Sequence, residues 1–68
     1  MVNLNEELLE ATKAHARGHI EKHRINVLVL MNNAVGIGEH GNIVEEIEKE
    51  VLEIAKYNDI LEILEKHF

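Results

Sequence analysis

Hydrophobic and polar residues follow the period of an α-helix along most of the chain. From residue 4 onward, uncharged residues recur every three or four positions and fall on one side of a helical wheel, with charged residues on the opposite side. The residues predicted to face inward are Leu4, Leu8, Ala11, Thr12, His15, His19, Asn26, Val29 and Leu30; those predicted to face outward are Glu6, Glu7, Glu10, Lys13, Arg17, Glu21 and Arg24. Asn3 and Glu6 have the spacing of a capping box, so this helix should span about residues 4–32.

Residues 25–31 leave two interpretations open. The segment Ile-Asn-Val-Leu-Val-Leu-Met is rich in branched side chains and apolar on every side, which describes a buried strand as well as a helix. We interpret it as the end of the first helix, because no second segment offers a strand to pair with it.

A glycine-dense segment, residues 33–42, separates the first helix from a second. Asn42 and Glu45 repeat the capping-box spacing, which predicts a helix over about residues 43–66. Its apolar stripe follows steps of three and four, typical of a coiled coil, and is widened by further apolar positions. The stripe comprises Val44, Ile47, Val51, Ile54, Asn58, Leu61 and Phe68, and the widening positions are Leu52, Ile60, Ile63 and Leu64. The pattern predicts an all-α, single-domain antiparallel helical hairpin over residues 1–68.

A hairpin of this size should not be stable alone. The chain has 68 residues, no cysteine and almost no aromatic side chains, and a core of this size leaves only roughly 3–5 kcal/mol of net stability. Two hairpins pairing into a four-helix bundle would bury both wide apolar stripes, so we predict a homodimer. The small residues Ala11, Ala14 and Gly18 suit a close crossing of two first helices, near His15, His19 and His23.

Charge and hydropathy limit the partners. The formal net charge is -6, which repels nucleic-acid backbones and anionic lipid surfaces. The chain shows neither signal-peptide features nor an apolar run long enough to cross a bilayer. We therefore expect a soluble cytoplasmic protein that contacts itself and a further protein, and neither nucleic acid nor membrane.

His15, His19 and His23 recur every fourth residue, and this row has two interpretations. Buried imidazoles that are hydrogen-bonded to each other, to Asn26 and Asn58 or to water are the simpler one, with acid weakening the assembly as they become charged. Two of these histidines could instead hold a divalent metal such as zinc, completed by carboxylates of the second helix. The candidate ligands are His15, His19, His23, Asp59 and Glu62. Because no ligand set closes within one chain, we favour the first interpretation and expect no cofactor.

Residues 36–41 match the Gly-x-Gly-x-x-Gly fingerprint of dinucleotide-binding folds, and Asp59 follows about twenty residues later. That fold needs several parallel strands, which the pattern does not provide, so we interpret the match as accidental. The chain also lacks serine and cysteine nucleophiles. We therefore favour a structural or protein-interaction module over an enzyme, with a metal-binding helical bundle as the alternative.

Three segments carry a resemblance. Residues 14–27, the Val-Gly-Ile-Gly-Glu-His segment at 35–40 and the Ile-Ala-Lys-Tyr segment at 54–57 resemble small helical proteins encoded by marine tailed bacteriophages. The resemblance extends over nearly the whole chain, but it contains no catalytic motif and transfers no functional residue. It implies only a place of action, the cytoplasm of an infected bacterium or, as the alternative, the virion. As an interaction module the protein is expected to meet a host or phage protein.

Overall fold

The computed structural model describes residues 3–34 and 40–68, which form two helices. Helix α1 spans Leu4–Ala34 and helix α2 spans His40–His67, and none of the described residues lies in a strand. The helices run antiparallel, since Asn26 contacts Glu50 while Arg17, earlier in α1, contacts Glu65, later in α2. The hairpin is a flat rod with extents of 57 × 20 × 11 Å. Neither helix, over the described residues, is both long and apolar enough to span a membrane.

The cap of α1 follows the predicted capping chemistry, and α2 begins earlier than predicted. The Asn3 side-chain oxygen accepts hydrogen bonds from the backbone N–H groups of Asn5 and Glu6, at 3.0 and 3.3 Å, which confirms Asn3 as the N-cap of α1. Helix α2 begins at His40 rather than near residue 43, so Asn42 lies in its first turn instead of preceding it. Half of the predicted connection, residues 35–39, and with it the first part of the glycine motif at 36–41, lies outside the described residues.

Residues 25–31 are helical, which confirms the helical interpretation over the strand. The segment continues α1 without interruption, and Val27 and Leu30 are half-buried. Val27 packs against the second helix, and this packing outweighs the weak intrinsic helix preference of a branched residue, whereas Ile25 and Val29 remain exposed within the helix.

Two lines of residues with alternating steps of four and three form the seam between the helices. On α1 the seam residues are Leu9, Lys13, Ala16, Ile20, His23, Val27 and Leu30; on α2 they are Ile43, Ile47, Glu50, Ile54, Tyr57, Leu61 and Leu64. All are buried or half-buried. This spacing of 3.5 residues is the coiled-coil repeat, which keeps one line of each helix against the other along its length.

The predicted inward face of α1 is wrong for most of its residues. Leu4, Leu8, His15 and Val29 are exposed, and the predicted outward residue Lys13 is in the seam with only 16% of its side chain exposed. The predicted face and the seam are adjacent sides of α1 and share only Leu30. The helical wheel favours the side with fewer charged residues, whereas α2 covers the heptad line that contains Lys13.

On α2 the prediction is right at alternate positions. Ile47, Ile54 and Leu61 are in the seam, but Val44, Val51, Asn58 and Phe68 are exposed. The other seam positions belong to the line that contains Glu50 and Tyr57, one residue earlier each time. The sequence pattern predicts Asn58 as the polar residue among the core positions of α2, whereas in the structure Glu50 occupies that role.

The hairpin buries little apolar surface. Among the described residues the only buried hydrophobic residue is Ala16, at 1% exposure, and no large side chain is fully buried. Twelve large hydrophobic side chains are between 36% and 81% exposed: Leu4, Leu8, Ile25, Leu28, Val29, Met31, Val44, Val51, Leu52, Ile60, Ile63 and Phe68.

Candidate functional site

The histidine row runs obliquely from the surface of α1 into the seam. His15 is exposed, His19 is half-buried, and His23 is 8% exposed. Four residues of an α-helix turn about 40° more than one full turn, so each histidine is rotated relative to the one before it. The row therefore passes from solvent to the helix interface, and the three imidazoles occupy three different environments.

Tyr57 of α2 lies against this row. Its ring is parallel to the His19 ring, with centroids 4.1 Å apart and an interplanar angle of 7°, and the ammonium of Lys56 lies 4.9 Å from the Tyr57 centroid. The His15 ring meets the His19 ring edge to face at 4.5 Å. The apolar stripe predicted for α2 does not include Tyr57, because it assigns the neighbouring position, Asn58, to the core. Its heptad spacing from Glu50 and Leu64 is the signal that identifies it.

Glu50 is the centre of a polar cluster inside the seam. Its carboxylate lies 3.2 and 3.4 Å from Nδ1 of His23 and accepts a short hydrogen bond from the Asn26 side-chain amide. The hydrogen bond from Asn26, and then that from His23, hold the pKa of the Glu50 carboxyl below its ordinary value of 4.5 against the opposing effect of burial. The sequence predicted Asn26 as a polar partner of the histidines but did not predict Glu50.

The imidazole of His19 has a lower pKa than a solvated histidine. Desolvation lowers its pKa below the ordinary value of 6.5, and the neighbouring charges of His15, Lys22, His23 and Lys56 lower it further. Its Nδ1 atom is buried and has no hydrogen-bond partner among the described residues. The His19 ring is therefore held mainly by its stacking on Tyr57.

The predicted metal ligands do not come together in one chain. His23 contacts Glu50, while Asp59 and Glu62 are exposed at positions of α2 outside the seam. His15 and His19 remain adjacent to each other. Within the described residues no group of three or more histidine, aspartate or glutamate side chains could hold a metal ion.

Two open cavities lie along the same side of the hairpin. The first, about 270 Å³, is lined by His15, Gly18, His19 and Lys22, and a Cβ atom added to Gly18 would meet nothing within 4 Å. The second cavity, about 280 Å³, lies beside Asn26 and Glu50 and reaches Val29.

We call this side the histidine face; it is formed by the side of α1 next to the seam that contains His15 and His19 and by the adjoining side of α2. Its residues are Leu8, Thr12, His15, His19, Lys22, Asn26 and Val29 of α1 and Glu46, Lys49, Glu53, Lys56, Ile60 and Ile63 of α2. Lys49 pairs with Glu46 at 3.3 Å and Lys56 with Glu53 at 2.7 Å, so most of its charge is neutralised locally. Gly18 lies on the outer edge of this face, in line with Leu4, Ala11 and Ile25.

We call the opposite side the acidic face; it contains the Arg17–Glu65 pair, whose side chains are 3.7 Å apart. Its residues are Glu7, Glu10, Ala14, Arg17, Glu21, Arg24, Leu28 and Met31 of α1 and Val44, Glu48, Val51, Ala55, Asn58, Glu62 and Glu65 of α2. Six glutamates against two arginines leave this face strongly negative.

The residues predicted for the dimer interface are divided between these surfaces. His15 and His19 lie on the histidine face, with Ala11 and Gly18 on its outer edge. Ala14 lies on the acidic face, and His23 is inside the seam against Glu50.

Comparison with protein-family models, with curated proteins and with solved structures finds no match for this chain. We therefore infer the function from the geometry of the hairpin itself.

Proposed function

We propose that this protein is a structural, protein-interaction module whose working form is a homodimer of hairpins, a four-helix bundle. The observation that supports the proposal is the contrast between one buried hydrophobic residue, Ala16, and twelve large exposed ones among the described residues. Exposed apolar area of this extent is typical of a protein that associates through it.

The energetics point the same way. Burying apolar surface stabilises a fold by about 25 cal/mol per Å², while ordering the backbone costs roughly 1–2 kcal/mol per residue. A hairpin in which every large side chain keeps part of its surface in water has little to set against that cost. A second hairpin supplies the missing burial, and pairing of helical hairpins is a common route to a four-helix bundle.

Sedimentation equilibrium of the untagged chain over a range of concentrations tests this proposal. We expect a mass of twice 7.8 kDa at micromolar concentration, and a melting temperature that rises with protein concentration because dissociation accompanies unfolding. A single 7.8 kDa species with a concentration-independent melting temperature would contradict it.

Metal binding is the second candidate function, and the adjacency of His15 and His19 favours it. Their ring centroids are 4.5 Å apart on the open side of α1, which gives two of the three or four ligands that zinc requires. The sequence-based set also contained His23, whose ring centroid lies 6.0 Å from that of His19 while its Nδ1 atom faces Glu50. Asp59 and Glu62, the remaining members, are exposed at positions outside the seam. Isothermal titration of the metal-free protein with zinc tests it: binding that is lost in His15→Ala and kept in His67→Ala supports the function, and absence of binding contradicts it.

A further protein partner, from a host or a phage, stays a prediction of the sequence resemblance. The acidic face is the surface that we assign to such a partner, because its negative charge would attract a basic protein surface and repel nucleic acid. We propose action in the cytoplasm on the same basis.

A further inference from the structure

We infer that a second copy of this chain docks on the histidine face, with the two α1 helices crossing antiparallel at Gly18. This inference rests on the proposed self-association and adds which surface is used and where the two-fold axis passes. Three observations support it: the charge of the two faces, the placement of apolar residues about Gly18, and the open cavity beside Gly18.

Charge separates the two faces. A two-fold dimer pairs a surface with itself, so every charge meets charges of the same surface. The acidic face would bring its six glutamates against six others, which opposes association. The histidine face carries three lysines and two glutamates, and four of these five charges form the Lys49–Glu46 and Lys56–Glu53 pairs within one chain. The fifth charge, Lys22, lies at the rim of the Gly18 cavity.

Apolar residues on and beside this face are arranged almost symmetrically about Gly18. Leu8 precedes Gly18 by ten residues and Val29 follows it by eleven; Ala11 and Ile25 lie seven residues before and after. Helices that cross antiparallel on a two-fold axis bring together positions equally distant from that axis. The crossing therefore places Leu8 near Val29 of the second copy, and the small Ala11 opposite the larger Ile25.

Gly18 itself leaves room at the crossing point. A glycine inside a helix destabilises that helix relative to alanine, and nothing within this chain requires it, because an added Cβ would meet no atom within 4 Å. The cavity of about 270 Å³ beside it is lined by His15, His19 and Lys22. Close approach of a second backbone, or insertion of a side chain of the second copy, gives the glycine a physical reason.

The same crossing removes from water Leu8 and Val29, which are 57% and 51% exposed in the single hairpin.

The test compares one substitution on each face. Gly18→Leu inserts a large side chain at the proposed crossing, and Ala14→Leu makes a similar change one turn earlier on the acidic face, where Ala14 is exposed. Leucine is a strong helix former at either position, so both chains should keep the circular dichroism spectrum of the wild type at concentrations where they are dimeric. We expect Gly18→Leu to raise the dimer dissociation constant by at least about tenfold and Ala14→Leu to change it by less than about twofold.

The outcomes separate the inference from the proposed function. A wild-type chain that is monomeric at all concentrations would overturn both. A wild-type dimer that Gly18→Leu leaves intact would overturn the inference alone, as would dissociation by Ala14→Leu. A third variant, Val51→Glu, examines the apolar patch of the acidic face, which consists of Leu28, Met31, Val44 and Val51. If it dissociates the dimer while Gly18→Leu does not, the second copy occupies that patch instead.

Discussion

His23 and Glu50 form the polar layer of an otherwise largely apolar seam. The imidazole Nδ1 and the carboxylate are 3.2 Å apart, and their side chains are 10% and 19% exposed. A hydrogen-bonded pair at one heptad layer fixes the register of two helices, because any shift along the axis leaves both groups facing apolar side chains. We expect the pair to determine alignment more than total stability.

Substitutions of His23 should show this asymmetry. His23→Leu leaves the Glu50 carboxylate without one of its two hydrogen-bond partners, His23 and Asn26. Losing a buried hydrogen-bond partner costs about 1–3 kcal/mol. The double variant His23→Leu with Glu50→Leu removes both polar groups, so it should be more stable than His23→Leu alone. Urea unfolding at fixed protein concentration measures both, and Glu46→Ala, which loses only the exposed pair with Lys49, serves as the control. A double variant less stable than His23→Leu would show that the pair stabilises the fold in its own right.

Acid should weaken the fold in two steps. The pKa of His19 lies below its ordinary value of 6.5, so the unfolded chain binds a proton there more readily than the folded chain. The resulting stability is present above pH 6.5 and is lost as the pH falls through the lowered pKa. The Glu50 carboxyl, whose pKa is held below 4.5, contributes stability above that pH and loses it on further acidification.

The melting temperature should therefore fall between about pH 7.5 and about pH 5.5. His19→Phe keeps an aromatic ring against Tyr57 but removes the titrating group, so most of this fall should be absent in that variant. His67→Phe, at the exposed end of α2, should behave like the wild type. An equal fall in His19→Phe and in wild type would assign the effect to another group.

At the scale of the helix, the sequence predicts the two elements because their signals are local. Asn3 caps α1 through hydrogen bonds to residues two and three positions later, and the apolar period continues through residues 25–31. The side of α1 that meets α2 is not local information. The predicted face and the seam are adjacent sides of α1, and either could pack against α2. The seam includes Lys13 and His23, which a hydropathy pattern scores as unfavourable.

The candidate site likewise combines residues that local signals predict with residues that only the packing of the two helices identifies. The row of three histidines is visible in the spacing, whereas Glu50 and Tyr57 reach it only through the antiparallel register of α2. Choosing Val51 and Asn58 over Glu50 and Tyr57 shifts α2 by one residue. The pattern favours the wrong choice, because it gives no credit for a glutamate that finds hydrogen-bond partners on another helix.

Lys13 offers a test of the seam of α1. It occupies a heptad position with its side chain 16% exposed, and its ion pair with Glu10, at 3.8 Å, is a weak surface pair. Lys13→Leu should stabilise the hairpin by about 1 kcal/mol, because it replaces a charged group at a seam position by an apolar one. Thermal unfolding checks this, with Lys66→Leu at an exposed position of α2 as the control. Destabilisation by Lys13→Leu alone would contradict the heptad seam.

At the scale of the whole molecule, the hairpin has three surfaces with different tasks. The seam holds the two helices together, the acidic face carries most of the net charge, and the histidine face combines apolar residues with locally paired charges. Because the seam buries only one hydrophobic residue fully among those described, we propose that the fold depends on covering another surface. The histidine face is the one that can cover itself without bringing like charges together.

Cysteine cross-linking tests this account most directly, because the native chain contains no cysteine. A disulfide requires Cβ atoms about 4 Å apart, which holds for position 18 and its symmetry mate only if two α1 helices cross there. Gly18→Cys should form a covalent dimer rapidly under mild oxidation, while Ala14→Cys should stay largely monomeric on denaturing gels. Cross-linking of Ala14→Cys as fast as, or faster than, Gly18→Cys would show that the chains do not meet on the histidine face.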